Sequence, residues 1–216
     1  MPSPTATHNQ PTPFPLTHFH SIPWCHALLT QKHILHTSTP DRTPLPSAEA
    51  VLVRETLNTP HTVRACVTYL RYLGRPNESV GETKARPFLE CAALLDLGLG
   101  VSGFAKTAHG GVLAVMLDEV LGTAANMQAE KGAYTASLKI NFKRPVKLPQ
   151  VVLVRGRVER VEGKKIFVKG TVEDSEGVVM GEGEALFVDV GREIGRWTSQ
   201  EEKEEKERER EGWAKL

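Results

Sequence analysis

The residues best placed to do chemistry lie in one stretch, AHGGVLAVMLDEVLGTAAN, residues 108–126. It reads as a long apolar helix opened by His109, Gly110 and Gly111 and interrupted at its middle by two adjacent carboxylates, Asp118 and Glu119. A helix N-terminus presents unpaired N–H groups and the positive end of the macrodipole, and glycine lets a ligand approach that backbone closely. The Gly110 and Gly111 amides are therefore suited to hold a carbonyl oxygen or an oxyanion. HGG alone is a weak signal, because glycine before a helix also serves packing and turns. The acid downstream sharpens it, since an unpaired buried carboxylate is costly or takes up a proton, so Asp118 needs a partner or a task. The bland alternative is a structural carboxylate paired across an interface with a lysine or an amide.

Spacing limits how such a site is assembled. Gly110 and Asp118 are eight residues apart, which is about 12 Å along a helix at 1.5 Å per residue. A carbonyl polariser and a base acting on one carbonyl carbon must converge far more closely. Gly111, Ala114, Asp118, Gly122 and Ala125 form a small-residue stripe at helical spacing. If two such helices run antiparallel along that stripe across a two-fold axis, Gly110 of one copy meets Asp118 of the other. A homodimer or higher even oligomer is the expectation, conditional on the two groups sharing a substrate.

The elements that must position these groups follow from periodicity. Residues 62–69 alternate as a strand with Val63, Ala65, Val67 and Tyr69 on one face, and RPFLECAALLDLGLG, 86–100, reads as a second extended element after a polar turn at 74–84. Residues 135–143 put Ala136, Leu138, Ile140 and Phe142 on one side and Thr135, Ser137, Lys139, Asn141 and Lys143 on the other. Three further strand runs follow, with turns at Glu162-Gly163 and at 174–177. Short helices are expected from Ile22 and, capped by Ser47, over 47–57. The predicted fold class is α+β: a curved antiparallel sheet wrapped around one long central helix.

Three segments are expected. Nine of the fourteen prolines precede residue 47, so 1–46 reads as a disordered or loosely ordered extension. A domain over 47–195 carries the helix and sheet, and 196–216 is a charged tail, read as a solvated helix or frayed end rather than a partner-binding one. A formal net charge of +1 argues against a nucleic-acid binder driven by overall charge. Cys25, Cys66 and Cys91 form no CxxC pair, and the histidines have no metal-ligand spacing, so no metal and no cofactor is expected. No apolar run approaches a membrane span. The compartment stays open between cytoplasm and mitochondrion. GLGVSG, 98–103, matches GxGxxG, but the helix opens at His109 rather than at those glycines, which removes the dinucleotide reading.

HGGVLAVMLDE followed by TASLKINFKRPV resembles the hotdog-fold acyl-CoA thioesterases, in particular thioesterase superfamily members 4 and 5 and their PaaI-like relatives. The likeness covers roughly residues 86–190. It implies a hotdog fold and hydrolysis of an acyl-CoA to free acid and coenzyme A, without a cofactor. It further implies that the Gly110 amide, helped by Gly111, holds the thioester carbonyl while His109 shapes the loop. Asp118 would act from the partner chain as general base or nucleophile, with Thr135 orienting the water and the acid. Asn141, Lys143 and Arg144 match positions lining the coenzyme A channel; by position alone the basic ones are equally a protected strand edge. The rival readings are a hotdog enoyl-CoA hydratase and a non-catalytic acyl-CoA binder or interaction protein.

Overall fold

The strand runs of the sequence form one antiparallel sheet in the computed structural model, which describes residues 7–72 and 89–191. The strands are β1 (Ile34–Ser38), β2 (Val63–Tyr72), β3 (Leu89–Leu97), β6 (Ala133–Phe142), β7 (Gln150–Glu162), β8 (Lys165–Glu173) and β9 (Val179–Asp189), in the spatial order β1-β2-β3-β7-β8-β9-β6. Two short strands, β4 (Ser102–Phe104) and β5 (Thr107–Ala108), pair separately just before the long helix. Turn chemistry fixes the hairpins: Gly163 and Gly177 take positive φ of 58° and 75°, a conformation glycine reaches without a Cβ penalty. The Asp174 carboxylate accepts from the amides of Glu176 and Val178, both at 2.9 Å.

The helix α3 (Gly110–Asn126) lies against β3, β6, β7, β8 and β9, strands from both sides of the sheet, so the sheet curls around it. Leu113, Met116, Leu117, Val120 and Leu121 supply the helix side of the main core. Full burial of such a side chain stabilises by about 1.5–3 kcal/mol. The helix sits close because Gly156, Gly170 and Gly183 stand side by side across β7, β8 and β9. A Cβ on Gly156 would lie 3.0 Å from Leu121 Cδ2, and one on Gly183 would lie 3.3 Å from Leu117 Cδ1. This is the hotdog arrangement that the resemblance implied, with the sheet left open rather than closed into a barrel.

The structure departs from the sequence reading in several places. Within 1–46, read from composition as disordered or loosely ordered, helix α1 (Pro15–His20) stands beside α2 (Pro23–Leu29), the short helix expected from Ile22, and both pack on the face of β2 and β3 turned away from α3. Phe19 is fully buried there with Cys25, Leu28, Val67 and Tyr69. Both helices carry proline in the first turn, where the missing N–H costs nothing, so proline content misled. His18 and Arg64 both reach the buried Asp96 carboxylate and fasten this layer. Over 47–57 the expected helix is reduced to a π-helical turn, Leu52–Thr56, preceded by positive φ at Ala48 and Ala50. An irregularity between Val63 and Ala65 turns Val63 toward α3 while Ala65, Val67 and Tyr69 face the outer layer. The turn at 74–84 and the tail at 199–211 lie outside the described residues.

Candidate active site

His109 caps the N-terminus of α3, its Nδ1 accepting from the Gly111 amide at 2.9 Å. Its own amide donates to the Val101 carbonyl at 2.8 Å, fixing the loop that leads into the helix. The Gly111 N–H is thereby engaged, which leaves the Gly110 amide as the better placed of the two for a ligand. Gly110 also has no room for a side chain, because a Cβ there would lie 3.1 Å from Phe142 Cζ. Phe142, 56% exposed, covers the helix start from the end of β6. Its role escaped the sequence reading, although the alternation had placed it on the same face as Leu138 and Ile140.

Asp118 is half-buried on the flank of α3 that faces β6, and Thr135 Oγ1 donates to its Oδ1 at 2.9 Å. Simple alternation had put Thr135 on the face opposite Leu138 and Ile140. The pairing register shows why it is not there. Phe187, Ala185 and Gly183 of β9 all face α3, and they pair with Thr135, Leu138 and Ile140 respectively, with an irregularity between Thr135 and Ser137. Directly paired residues share a face, and one extra residue shifts the alternation, so Thr135 joins the helix-facing row.

Glu119 stands about 100° further round the helix and points away from Thr135's flank. It is exposed by surface area, yet protein atoms crowd its carboxyl; that burial first, and the Asp118 charge second, raise its pKa. The expected small-residue stripe is not uniformly open: Gly111 is exposed, Ala114, Asp118 and Gly122 are half-buried, and Ala125 is fully buried in the core.

The structure does not bring every predicted residue to this point. Asn141 and Lys139 pair with Glu182 and Glu184 on the outer side of the sheet. Lys143 Nζ sits 2.9 Å from Glu182 Oε2 in an exposed ion pair, and Arg144 is exposed beyond the strand end. An outer cavity of about 420 Å³ is lined by Glu90, Arg155, Lys169 and Glu173, and Asp118 is not among its walls. Burial pushes the thiols of Cys25 and Cys91 up to about 12 and that of Cys66 up to about 11, which removes them as thiolate nucleophiles. Among the described residues no His, Cys, Asp and Glu group is arranged to hold a metal, and no helix is long and apolar enough to cross a membrane.

Residues 105–180, which run from the approach loop to the start of β9, match the family model described as "Thioesterase superfamily". The acyl-coenzyme A thioesterase THEM4 of Mus musculus is 35% identical over 102 residues, covering 47% of this chain and 44% of that protein. The acyl-coenzyme A thioesterase THEM5 of Homo sapiens is 35% identical over 69 residues, covering 32% of this chain and 26% of that protein. A solved thioesterase superfamily protein is 32% identical, covers 48% of this chain and 54% of its own, and superposes with a TM-score of 0.44. The chain spans less than half the length of these curated relatives. The matched residues 105–180 carry both the HGG helix and the Thr135 strand.

Proposed function

We propose that this chain is an acyl-CoA thioesterase, hydrolysing a fatty or other acyl-CoA to the free acid and coenzyme A. The observation that carries the reading is the Thr135–Asp118 hydrogen bond, set on the helix that begins at Gly110 behind the His109 cap. The Gly110 N–H holds the thioester oxygen and stabilises the charge that develops on it. Asp118 takes a proton from water as the water oxygen attacks the carbonyl carbon; the C–S bond then breaks and the coenzyme A sulfur leaves with a proton. In a nucleophilic variant the carboxylate itself attacks and water cleaves the resulting anhydride. Thr135 keeps the carboxylate in the productive rotamer.

Two copies complete the site. Gly110 and Asp118 stand about 12 Å apart on one helix, too far to act on one carbonyl. β6 is the terminal strand of the sheet, ten residues long and exposed along much of its length. A second copy pairing along that edge extends the sheet and removes the unpaired backbone groups of an edge strand. Asn141, Lys143 and Arg144 then serve the nucleotide and phosphates of coenzyme A. An exposed pair such as Lys143–Glu182 is worth little, about 0–1 kcal/mol, so a phosphate displaces the carboxylate readily.

The test is thiol release from a panel of acyl-CoAs by wild type and Asp118→Ala. The variant should lose a factor of about 10² or more, the scale of a positioned acid–base group. Equal activity in the variant would remove Asp118 from the chemistry, and no thiol release from any acyl-CoA by wild type would favour a binder. Mixing Asp118→Ala chains with Gly110→Pro chains, each inactive alone, should restore part of the activity. No rescue in verified mixed dimers would refute the shared site.

A further inference from the structure

We propose that a cavity on the flank of α3 opposite Asp118 receives the distal part of an unbranched apolar acyl chain and so sets chain-length preference, an inference that rests on the thioesterase reading above. The cavity is about 290 Å³, and its walls include Cys66, Cys91, Ala93, Val115, Met116 and Val120. This is the small end of the range for ligand pockets, and the mainly apolar lining is that of a pocket for a chain rather than for a charged group.

The far wall comes from outside the 105–180 family match: it is the segment between Pro40 and Leu57, which crosses from β1 back to β2. Arg42 is the centre of the hydrogen bonds that hold that wall. The buried Arg42 guanidinium donates from Nε and Nη2 to the Val53 carbonyl, from Nη2 to Leu57 and from Nη1 to the Val63 carbonyl on β2. Its donors are spent on backbone, so Arg42 acts as a staple rather than as a ligand contact. The segment it anchors gives this chain a side cavity beside α3 that residues 105–180 cannot build alone.

A route joins cavity and carbonyl site. Gly111, Val115 and Glu119 follow one another at four-residue spacing along the open ridge of α3, with Gly111 and Glu119 exposed and Val115 half-buried. Val115 and Glu119 line the cavity. The ridge from Gly111 to Glu119 is about 12 Å long. An acyl group of two to four carbons, held by its carbonyl at Gly110, stops on the ridge, whereas a medium or long chain reaches past Val115 into the cavity. Glu119, left unexplained by the site chemistry, stands at the cavity mouth.

The test compares binding of the non-hydrolysable thioethers dodecyl-CoA and butyl-CoA by calorimetry, and hydrolysis of dodecanoyl-CoA and butyryl-CoA, in wild type, Ala93→Leu and Val115→Trp. Wild type should bind dodecyl-CoA at least roughly tenfold more tightly than butyl-CoA, from the apolar area buried by the longer chain. Each variant should cut the dodecyl-to-butyl ratio by about fivefold or more, with the hydrolysis ratio following. The ratio cancels any loss of folded protein, and Val115 is open enough to accept tryptophan should Ala93→Leu not fold. A wild type without preference for the longer thioether, or variants whose ratios stay within about twofold of wild type, would overturn the assignment. The expected thioether pattern without thiol release from either acyl-CoA would sink the thioesterase reading and leave the cavity assignment standing.

Discussion

Thr135 Oγ1 donates a 2.9 Å hydrogen bond to Asp118 Oδ1, joining the edge strand to the middle of the helix across seventeen residues of sequence. The contact exists because the strand irregularity before Ser137 turns Thr135 toward α3. Removing the hydroxyl leaves the carboxylate free to leave its rotamer. Thr135→Val should lower kcat by about tenfold, within the range for lost positioning of an acid–base group, with little change in KM, and Thr135→Ser should recover most of it. Steady-state kinetics on one acyl-CoA decides; a Thr135→Ser as slow as Thr135→Val would separate the hydroxyl from the chemistry.

Glu119 offers a pH signature. Burial, then the neighbouring Asp118 charge, raises its pKa, so the folded protein binds this proton more tightly than the unfolded chain. Its contribution to stability is therefore lost as pH rises from the ordinary glutamate range through the raised folded value. Glu119→Gln should be more stable than wild type above that window and equal to it below. The gain should stay under about 1 kcal/mol, because the side chain is exposed and solvent screens it. Thermal melts from pH 4 to 8 test the sign. Glu119→Gln should also lose far less activity than Asp118→Ala; the reverse order would make Glu119 the acting carboxylate.

Gly170 is the tightest point between sheet and helix: a Cβ there would overlap the Arg155 carbonyl and stand 2.7 Å from Leu121 Cδ2. Backbone cannot yield as a side chain can. Gly170→Ala should destabilise by about 2–3 kcal/mol, the cost of overpacking a dense core, read as a lower urea midpoint. Gly163→Ala, with nothing within 4 Å but a φ of +58°, should cost less, about 1–2 kcal/mol for a left-handed residue with a Cβ. Equal losses in the two would argue against close helix–sheet packing as the reason for the glycine row.

Glu90 is buried on the outer face of the sheet, where its Oε1 accepts from Arg155 Nη1 at 2.6 Å and its Oε2 from Arg71 Nη2 at 3.2 Å. Arg155 also donates to Tyr69 Oη at 2.9 Å and to Glu173 Oε2 at 3.1 Å. Deleting one member leaves buried charge uncompensated, and breaking such a pair costs about 3–5 kcal/mol. Glu90→Ala should fall toward that loss in chemical denaturation. The effect on kcat of the remaining folded protein should be small, because this network lies on the opposite face of the sheet from Asp118.

The sequence by itself determined the long helix, the strand runs around it and the identity of the reactive groups. Periodicity and turn residues are local properties, and HGG with an acid eight residues beyond Gly110 is a pattern any reader of the chain can see. The same spacing already required a second copy if one carbonyl is to meet both groups. Only tertiary structure decided which flank each carboxylate serves. Asp118 and Glu119 are adjacent and chemically alike, and the helix turn divides them between the edge strand and the side cavity. It also decided the face of Thr135, because one strand irregularity inverts the alternation that a period of two predicts. The proline-rich beginning shows the same limit: spacing registers a helix from Ile22, but not that Pro15 starts another before it or that Phe19 is buried beneath the sheet. Whether a segment folds depends on the apolar surface awaiting it elsewhere in the chain, and that surface exists only once the sheet has formed.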